Sequence, residues 1–378
     1  MITWVIKASK FCNLRCSYCY EYESLGDKSR IPVSSYDKLY RIIDAIGRHF
    51  GDGHRICWHG GEPLLLQPDY YKEAISKQTD VFGKRSHNTV QTNLTVCAPQ
   101  HLQLLSQFDY VSVSLDVIGG LRVNKSGTDS QATVLRNLDK LEKAKIQWGA
   151  ISVLHRMNVA EVQAQFDFFN ALKVNFRVLP IYRFASSEQR LSHELTPEEA
   201  KRALCKLADL WLHRSNGIQI APLDGYFRVA VRNVFGRANR KRLSYSKHTK
   251  ENVFVVDTSG DLYSVADTYD RRYCYGNVFH DSAENILRSV GRKTAIEDAE
   301  QRVERYCTQC KYFGDCTGWP VAEATQIERD ACENTGSCAF ASPLIRHFEE
   351  AIRKGRAVTL AQAIRDDDIQ TDIEVEVA

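Results

Sequence analysis

No run of 18 apolar residues occurs in this 378-residue chain, so nothing in the sequence reads as a membrane span. No charge of one sign dominates either. The 50 Lys and Arg stand against 47 Asp and Glu, a net +3, which is too even to argue for nucleic acid or a bulk acidic partner. The opening Met-Ile-Thr-Trp-Val-Ile-Lys lacks a basic region followed by an apolar core, so no secretory signal is legible and a cytoplasmic location is expected. What the chain has in quantity is cysteine, twelve residues concentrated at Cys12–Cys19 and Cys307–Cys338. Without a signal peptide, that clustering argues for reduced thiols that hold metal rather than for disulfides. A hydrophobic content of 43% over this length allows one large domain and a smaller one.

The first cluster is Cys12, Cys16 and Cys19, spaced Cys-x3-Cys-x2-Cys, directly after the apolar segment Trp4 to Ala8. A structural zinc site wants four protein ligands, and no fourth Cys or His follows before His49. Three thiolates on one tight loop suit a four-iron cubane instead, with one iron left open to an outside molecule. An open metal position belongs to a reactive site.

Apolar strand-like segments alternate with amphipathic helical ones through roughly residue 183. The strands are expected at Thr3–Ala8, Ile56–His59, Thr89–Gln91, Val111–Leu115, Gly149–Leu154 and Phe176–Ile181. Helices are expected near Ser35–His49, Tyr70–Phe82, Gln100–Phe108, Gln131–Ala144 and Val159–Leu172. Six alternations predict an α/β fold, a partial (β/α)6 TIM-type barrel with chemistry at the C-terminal strand ends. The cysteine loop, Gly60–Pro63, Thr92–Asn93 and Asp116 all fall just after a predicted strand. Farther on, Thr196-Pro-Glu-Glu199 predicts a helix start, and Asp224–Phe235 a further helix. Residues 252–265 predict a hairpin, Val253–Val256 and Leu262–Val265 joined around Ser259-Gly-Asp261, and a helix is expected from about Pro343 to Lys354. The expected domains are 1–183, a helical bridge with a basic loop at 184–250, a cysteine-rich domain at 251–357 and an acidic tail at 358–378. The basic stretch, Arg237-Ala-Asn-Arg-Lys-Arg242 with Lys247 and Lys250, reads as a solvated loop, with a docking patch for an acidic peptide as the sharper alternative.

The cysteine loop, with Tyr18 just before its last cysteine, resembles the signature of the radical S-adenosylmethionine superfamily. Three further segments resemble that family in order: Trp58-His-Gly-Gly-Glu-Pro63, Gln91-Thr-Asn93 and Ser114-Leu-Asp116. The resemblance implies S-adenosylmethionine and a [4Fe-4S] cluster as cofactors. The open iron would hold the cofactor's amino and carboxylate groups, and one electron would generate a 5′-deoxyadenosyl radical that removes hydrogen from an unactivated carbon. Cofactor-binding candidates are Tyr18, Gly60, Gly61, Glu62, Gln91, Asn93, Ser114 as a polar contact and Arg122 as a fork for a carboxylate. Asp116, His59 and His155 read equally as structural residues.

The second constellation is Cys307-x2-Cys310-x5-Cys316, with Cys332 and Cys338 downstream. By spacing alone zinc competes here. Gly260-Asp-Leu-Tyr263 and Tyr275-Gly-Asn-Val278 before it resemble the SPASM-like, smaller α+β C-terminal domain of peptide-modifying radical enzymes. Three positions depart from that pattern, with Val265, Asp281 and Pro320 where cysteines would stand. The resemblance therefore implies one auxiliary [4Fe-4S] cluster, on Cys307, Cys310, Cys316 and Cys338, with Cys332 as the alternative fourth ligand and Cys274 as a spare.

In substrate class the chain most resembles maturases of ribosomally made precursor peptides that cross-link an aromatic ring to a neighbouring Cβ, a cyclophane. Asp267 and Asp281 are the candidates for the catalytic base. The expected partners are a precursor peptide and an external one-electron reductant, with neither nucleic acid nor membrane. The chain starts almost directly on the first strand, so leader recognition is expected from the barrel, the C-terminal domain or a separate protein. Rival readings are sulfatase-maturase-like side-chain oxidation, whose full cysteine set is not met, and peptide epimerisation.

Overall fold

The computed structural model describes residues 1–51, 53–83, 86–118, 120–181, 193–236, 243–357 and 360–361. The basic run 237–242 and the acidic tail from Asp366 lie outside these residues. The chain divides into two compact units. One gathers Met1–Leu115, Gly120–Ala150 and Lys247–Asp298, and the other gathers Asp116–Gly119, Ile151–Ser246 and Ala299–Ala378.

The strands are β1 (Ile2–Ser9), β2 (His54–Gly60), β3 (Ser86–Thr92), β4 (Tyr110–Ser114), β5 (Trp148–Leu154), β6 (Phe176–Pro180), β7 (Ile220–Ala221), β8 (Val253–Val256), β9 (Asp261–Ser264) and β10 (Gly276–Asn277). In the first unit β1, β2, β3 and β4 pair in parallel, in that order. Helices α1 (Tyr36–Gly47), α2 (Pro68–Phe82), α3 (Pro99–Leu105) and α4 (Gln131–Lys143) connect or follow them, which makes an α/β fold with a parallel sheet. Trp4, Ile6 and Ala8 alternate along β1 into the core, and Trp4 stacks on Phe254 with ring centroids 4.8 Å apart. Between α1, α2 and β2, Tyr36, Tyr70, Tyr71 and Trp58 form a buried aromatic layer with centroids 5.2 to 6.0 Å apart.

The hairpin forms where the sequence predicts it, but it does not stand apart from the parallel sheet. β8 pairs in parallel with the free side of β1, β9 turns back antiparallel on β8, and β10 adds to β9. Strand–helix alternation carries no information about such a return, because the hairpin's partner is some 250 residues earlier in the chain.

In the second unit β6 pairs in parallel with β7, preceded by α5 (Val162–Ala171). The predicted capping box opens the helix Pro197–Arg214: Thr196 accepts from the Glu199 N–H while Glu199 reaches back to the Thr196 N–H. This helix packs with Leu223–Phe235 and Ala341–Arg353 through Trp211, Phe227 and Phe348, whose ring centroids lie 5.3 to 6.1 Å apart. Among the described residues, no helix is long and apolar enough to cross a membrane.

Candidate metal centres and the strand-end site

The cysteine loop follows β1 and is folded back on itself by backbone bonds. The Cys12 N–H donates to the Leu25 carbonyl at 3.1 Å, Cys19 to Cys16 at 2.9 Å and Tyr22 to Cys19 at 3.1 Å. Cys12, Leu14, Cys16 and Leu25 pack as a small buried cluster, with Tyr18 and Cys19 against it. Arg15 donates to the carbonyls of Cys12 and Leu14 at 2.8 and 2.6 Å, fixing the loop's inner turn. Burial and the neighbouring charges of Glu62, Cys16 and Cys19 push the Cys12 thiol up to about 12. Three thiols so placed resist ionising together unless a cation joins them, which is the chemistry of a metal-thiolate site.

β2 ends on the two glycines, and their role is steric. A Cβ on Gly60 would lie 2.0 Å from the Ser9 carbonyl oxygen, and one on Gly61 would lie 2.2 Å from that of Lys10 and 2.4 Å from that of Phe11. Gly60 also sits at φ +139°. Without side chains the backbones close up: the Gly61 N–H donates to Ser9 at 2.8 Å and the Glu62 N–H donates to Phe11 at 2.9 Å. The glycines thus seat the start of the cysteine loop on the end of β2.

Glu62 is buried, and both of its carboxylate oxygens are engaged. One accepts from the Leu64 N–H at 2.9 Å and the Thr92 hydroxyl at 2.6 Å, the other from the Asn93 N–H at 2.6 Å. Burial pushes its carboxyl up to about 7 against the pull of those three donors. Glu62 therefore ties the ends of β2 and β3 together. Asn93 continues the chain of contacts, donating to Asn13 at 3.1 Å and to the Cys12 sulfur at 3.7 Å. Gln91, two residues back along β3, hydrogen-bonds His59, whose imidazole burial and the Lys7 charge push down to about 4. Ser114 is the last residue of β4. The Arg122 guanidinium lies 5.4 Å from the Tyr18 ring, and the adjoining segment pairs with the loop through Leu14–Asn124 and the Arg15 N–H to Val123 at 2.7 Å.

Four residues of this region were not singled out by sequence. Lys7, in the middle of β1, is buried, and its ammonium donates to Tyr20 at 2.9 Å, to Tyr269 at 2.7 Å and to Glu21. Tyr269 also donates to Glu21 and holds φ +72°, an uncommon backbone for a bulky residue. Burial works against the Lys7 charge, yet the two phenols and Glu21 hold the ammonium above its ordinary value. The available signal was a lysine inside an otherwise apolar strand. Of the base candidates, Asp267 is buried 4.0 Å from the Lys247 ammonium, and Asp281 accepts the Asn277 N–H at 2.7 Å within its own turn.

In the second unit Cys307 closes the helix Val290–Cys307, and tight turns carry Cys310 and Cys316. The Cys310 N–H donates to Cys307 at 2.9 Å and the Cys316 N–H to Tyr312 at 2.7 Å. Cys307, Cys310, Cys316 and Cys338 line one cavity, with Phe313 and Pro320 in its wall. Cys332 does not line that cavity, although it is buried in the same apolar cluster as Cys307, Tyr306 and Val321, against which Cys338 packs. Burial and the four other cysteines push the Cys307 thiol up to about 12, and burial with its neighbours pushes Cys316 up to about 11. Val265, at one departure from the resembled pattern, is exposed. Among the described residues no three His, Cys, Asp or Glu close on a single-ion position. A cubane takes one thiolate per iron around a larger body, so a cavity walled by four cysteines fits it better than a single ion.

Comparison with known proteins gives the same direction. Residues 6–169 match the family model described as the radical SAM superfamily. The serine-type anaerobic sulfatase-maturating enzyme of Bacteroides thetaiotaomicron is 25% identical over 335 residues, which cover 81% of this chain and 79% of that protein. Native anSMEcpe with bound AdoMet and Cp18Cys peptide superposes with a TM-score of 0.73 at 19% identity, covering 96% of this chain and 99% of that one. Streptococcus suis SuiB bound to precursor peptide SuiA gives a TM-score of 0.56 at 13% identity, over 86% and 74% of the two chains. Both structural likenesses speak to the fold.

Proposed function

This chain is a radical S-adenosylmethionine enzyme, its domain of that kind spanning residues 6–169, and on that premise we propose that it oxidises a side chain of a peptide substrate. The observation that carries the reading is the pair of cysteine centres, one three-thiol loop bound into the strand ends and one cavity walled by four cysteines. The sulfatase-maturating names of its relatives favour oxidation of a single side chain to a carbonyl. The cysteine set favours a second reading, intramolecular cross-linking of a precursor peptide, because Val265, Asp281 and Pro320 leave ligands for one auxiliary cluster only.

Cys12, Cys16 and Cys19 would hold the reactive cluster, and Cys307, Cys310, Cys316 and Cys338 the auxiliary one. Cluster and S-adenosylmethionine, when bound, supply a carbon-centred radical able to take hydrogen from an unactivated carbon. The chain's own residues do the positioning. Gly60 and Gly61 let the cysteine loop lie on β2, and Glu62 locks β2 to β3 through Thr92 and Asn93. Asn93 steadies Cys12. Arg122 and Ser114 remain the groups suited to a cofactor carboxylate and hydroxyl.

The test is anaerobic incubation of the reconstituted enzyme with candidate peptides, followed by mass analysis with and without a hydrazide trap. Loss of two hydrogens with hydrazide capture supports a carbonyl from serine. The same loss without capture, and with fragmentation blocked between two residues, supports the cross-link. A mass unchanged in ordinary water but raised by a single deuterium in heavy water would replace both by epimerisation.

A further inference from the structure

One face of the first unit's parallel sheet carries a polar row that the reaction as proposed leaves without a task. Lys7 of β1 stands in register with His59 of β2. Trp58 of β2 stands in register with Val90 of β3, so Gln91 follows beside His59 and hydrogen-bonds it. Side chains alternate along a strand, so these three share the face opposite Trp4, Ile6, Trp58 and Val90, which are buried. Lys7 anchors the row in a hydrogen-bond network that closes on itself except for one proton. The protons of its ammonium go to Tyr20 at 2.9 Å, to Tyr269 at 2.7 Å and to Glu21. The Tyr269 hydroxyl donates to the same Glu21 oxygen, and the other Glu21 oxygen accepts from the Ser24 hydroxyl at 3.0 Å. The Tyr20 hydroxyl accepts from Lys7, and its own proton has no acceptor among the described residues. Tyr20 is 46% exposed, while Lys7 and Glu21 are buried, so the unspent proton is on the open side of the network. Tyr20 also follows Cys19 directly, which puts that open side at the cysteine loop.

We propose that the Tyr20 hydroxyl is a substrate-binding donor that holds a backbone carbonyl of the peptide at the Cys12–Cys19 loop. The inference rests on the reading of this chain as an enzyme that oxidises a peptide side chain. A phenol that accepts from a buried ammonium is polarised by it, and its own O–H becomes a stronger donor than a free phenol's. The network's charge is balanced, Lys7 against Glu21, so it offers a dipole to a neutral carbonyl and no net field to a carboxylate or phosphate. Every residue of a peptide carries such a carbonyl. The contact therefore sets the register of the backbone and leaves the choice of side chain to other groups. Because Lys7 is buried within a strand, the phenol is held in place before substrate arrives.

The experiment uses the reconstituted full chain, unmodified and as Tyr20→Phe. The probe is a serine-centred heptapeptide with a fluorophore at its N-terminus and an amidated C-terminus, and its Kd is read by anisotropy with S-adenosylmethionine present. Tyr20→Phe removes only the hydroxyl and is expected to weaken the peptide about tenfold, with iron content and the Kd of S-adenosylmethionine unchanged. Ester replacement of single peptide bonds gives a readout that a general loosening of the loop would not move. An ester at the bond Tyr20 holds should weaken binding to the unmodified enzyme several-fold and have no further effect on Tyr20→Phe. Peptide binding by Tyr20→Phe within about twofold of the unmodified enzyme would overturn the proposal, as would an unmodified enzyme that does not bind the probe. A weakened Kd for S-adenosylmethionine with peptide binding unchanged would also overturn it, and would assign the hydroxyl to the cofactor. If Tyr20→Phe loses its iron, meta-fluorotyrosine in place of Tyr20 keeps the shape and strengthens the donor. Tighter peptide binding by that enzyme would uphold the proposal, and equal or weaker binding would overturn it. Failure of the functional reading shows separately, as a peptide that binds through this hydroxyl and is never modified.

Discussion

Replacing Gly61 by alanine tests whether the glycine pair serves the cysteine loop or only the approach of a cofactor. The new Cβ would start 2.2 Å from the Lys10 oxygen and 2.4 Å from the Phe11 oxygen, all of it backbone that no rotamer can move aside. The loop would have to retreat by about 1 Å before the contact became ordinary. That retreat breaks or stretches the Gly61–Ser9 and Glu62–Phe11 hydrogen bonds, worth about 1 kcal/mol each, and adds strain of similar size. A loss on the order of 3 kcal/mol lowers the population of the ordered loop about a hundredfold. The assay is iron content after anaerobic reconstitution, together with the melting temperature. Gly61→Ala should lose the iron of the first centre and keep that of the second. Gly26→Ala, where nothing lies within 4 Å of the added methyl, should keep both. A Gly61→Ala enzyme with full iron and weakened S-adenosylmethionine binding alone would refute the steric argument.

Cys338→Ser should remove the iron of the second centre and Cys332→Ser should retain it, as measured by iron per chain, because only Cys338 of the two lines the cavity. Glu349 is hydrogen-bonded to Tyr312, a residue of that cavity's wall. Burial opposes its charge, but hydrogen bonds from Lys311 at 2.8 Å, Tyr312 at 2.7 Å and Arg353 hold its carboxyl down to about 2. A depressed carboxyl stabilises the fold above its unfolded value of 4.5 and loses that contribution as pH falls towards about 2. Lys311 and Arg353 are more than half exposed, so screening leaves about 1 to 2 kcal/mol. The melting-temperature gap between wild type and Glu349→Gln should therefore be full at neutral pH, narrow as pH falls below 4.5 and close only towards about 2; a gap independent of pH would contradict this. Lys7→Met should cost about 3 to 5 kcal/mol in urea unfolding by leaving Glu21 buried without its ammonium, and adding Glu21→Met should recover part of that loss.

The parallel strands and their helices were legible because each is a local pattern. The β1 run Ile2–Ser9 and the capped helix at Thr196 carry their own periodicity and start signals. The helix Val290–Cys307 was not read. Its buried positions include Ala295, Ala299 and Tyr306 among many charges, too thin an apolar stripe to stand out. The strand-end motifs were visible as motifs, but the partners of Glu62 were not. Spacing places Glu62 at a strand end beside two glycines, but it does not name the three protein donors that engage its carboxylate. The Lys7–Glu21–Tyr269 contacts join residues up to 262 positions apart, a distance over which spacing says nothing.

The most direct test of the central claim follows hydrogen itself. A substrate peptide deuterated at the side-chain carbons of its modified residue would be turned over anaerobically, and the 5′-deoxyadenosine analysed by mass spectrometry. Deuterium in 5′-deoxyadenosine, matched by its loss from the peptide, is the predicted result. Unlabelled 5′-deoxyadenosine beside a modified peptide would contradict hydrogen removal from that side chain.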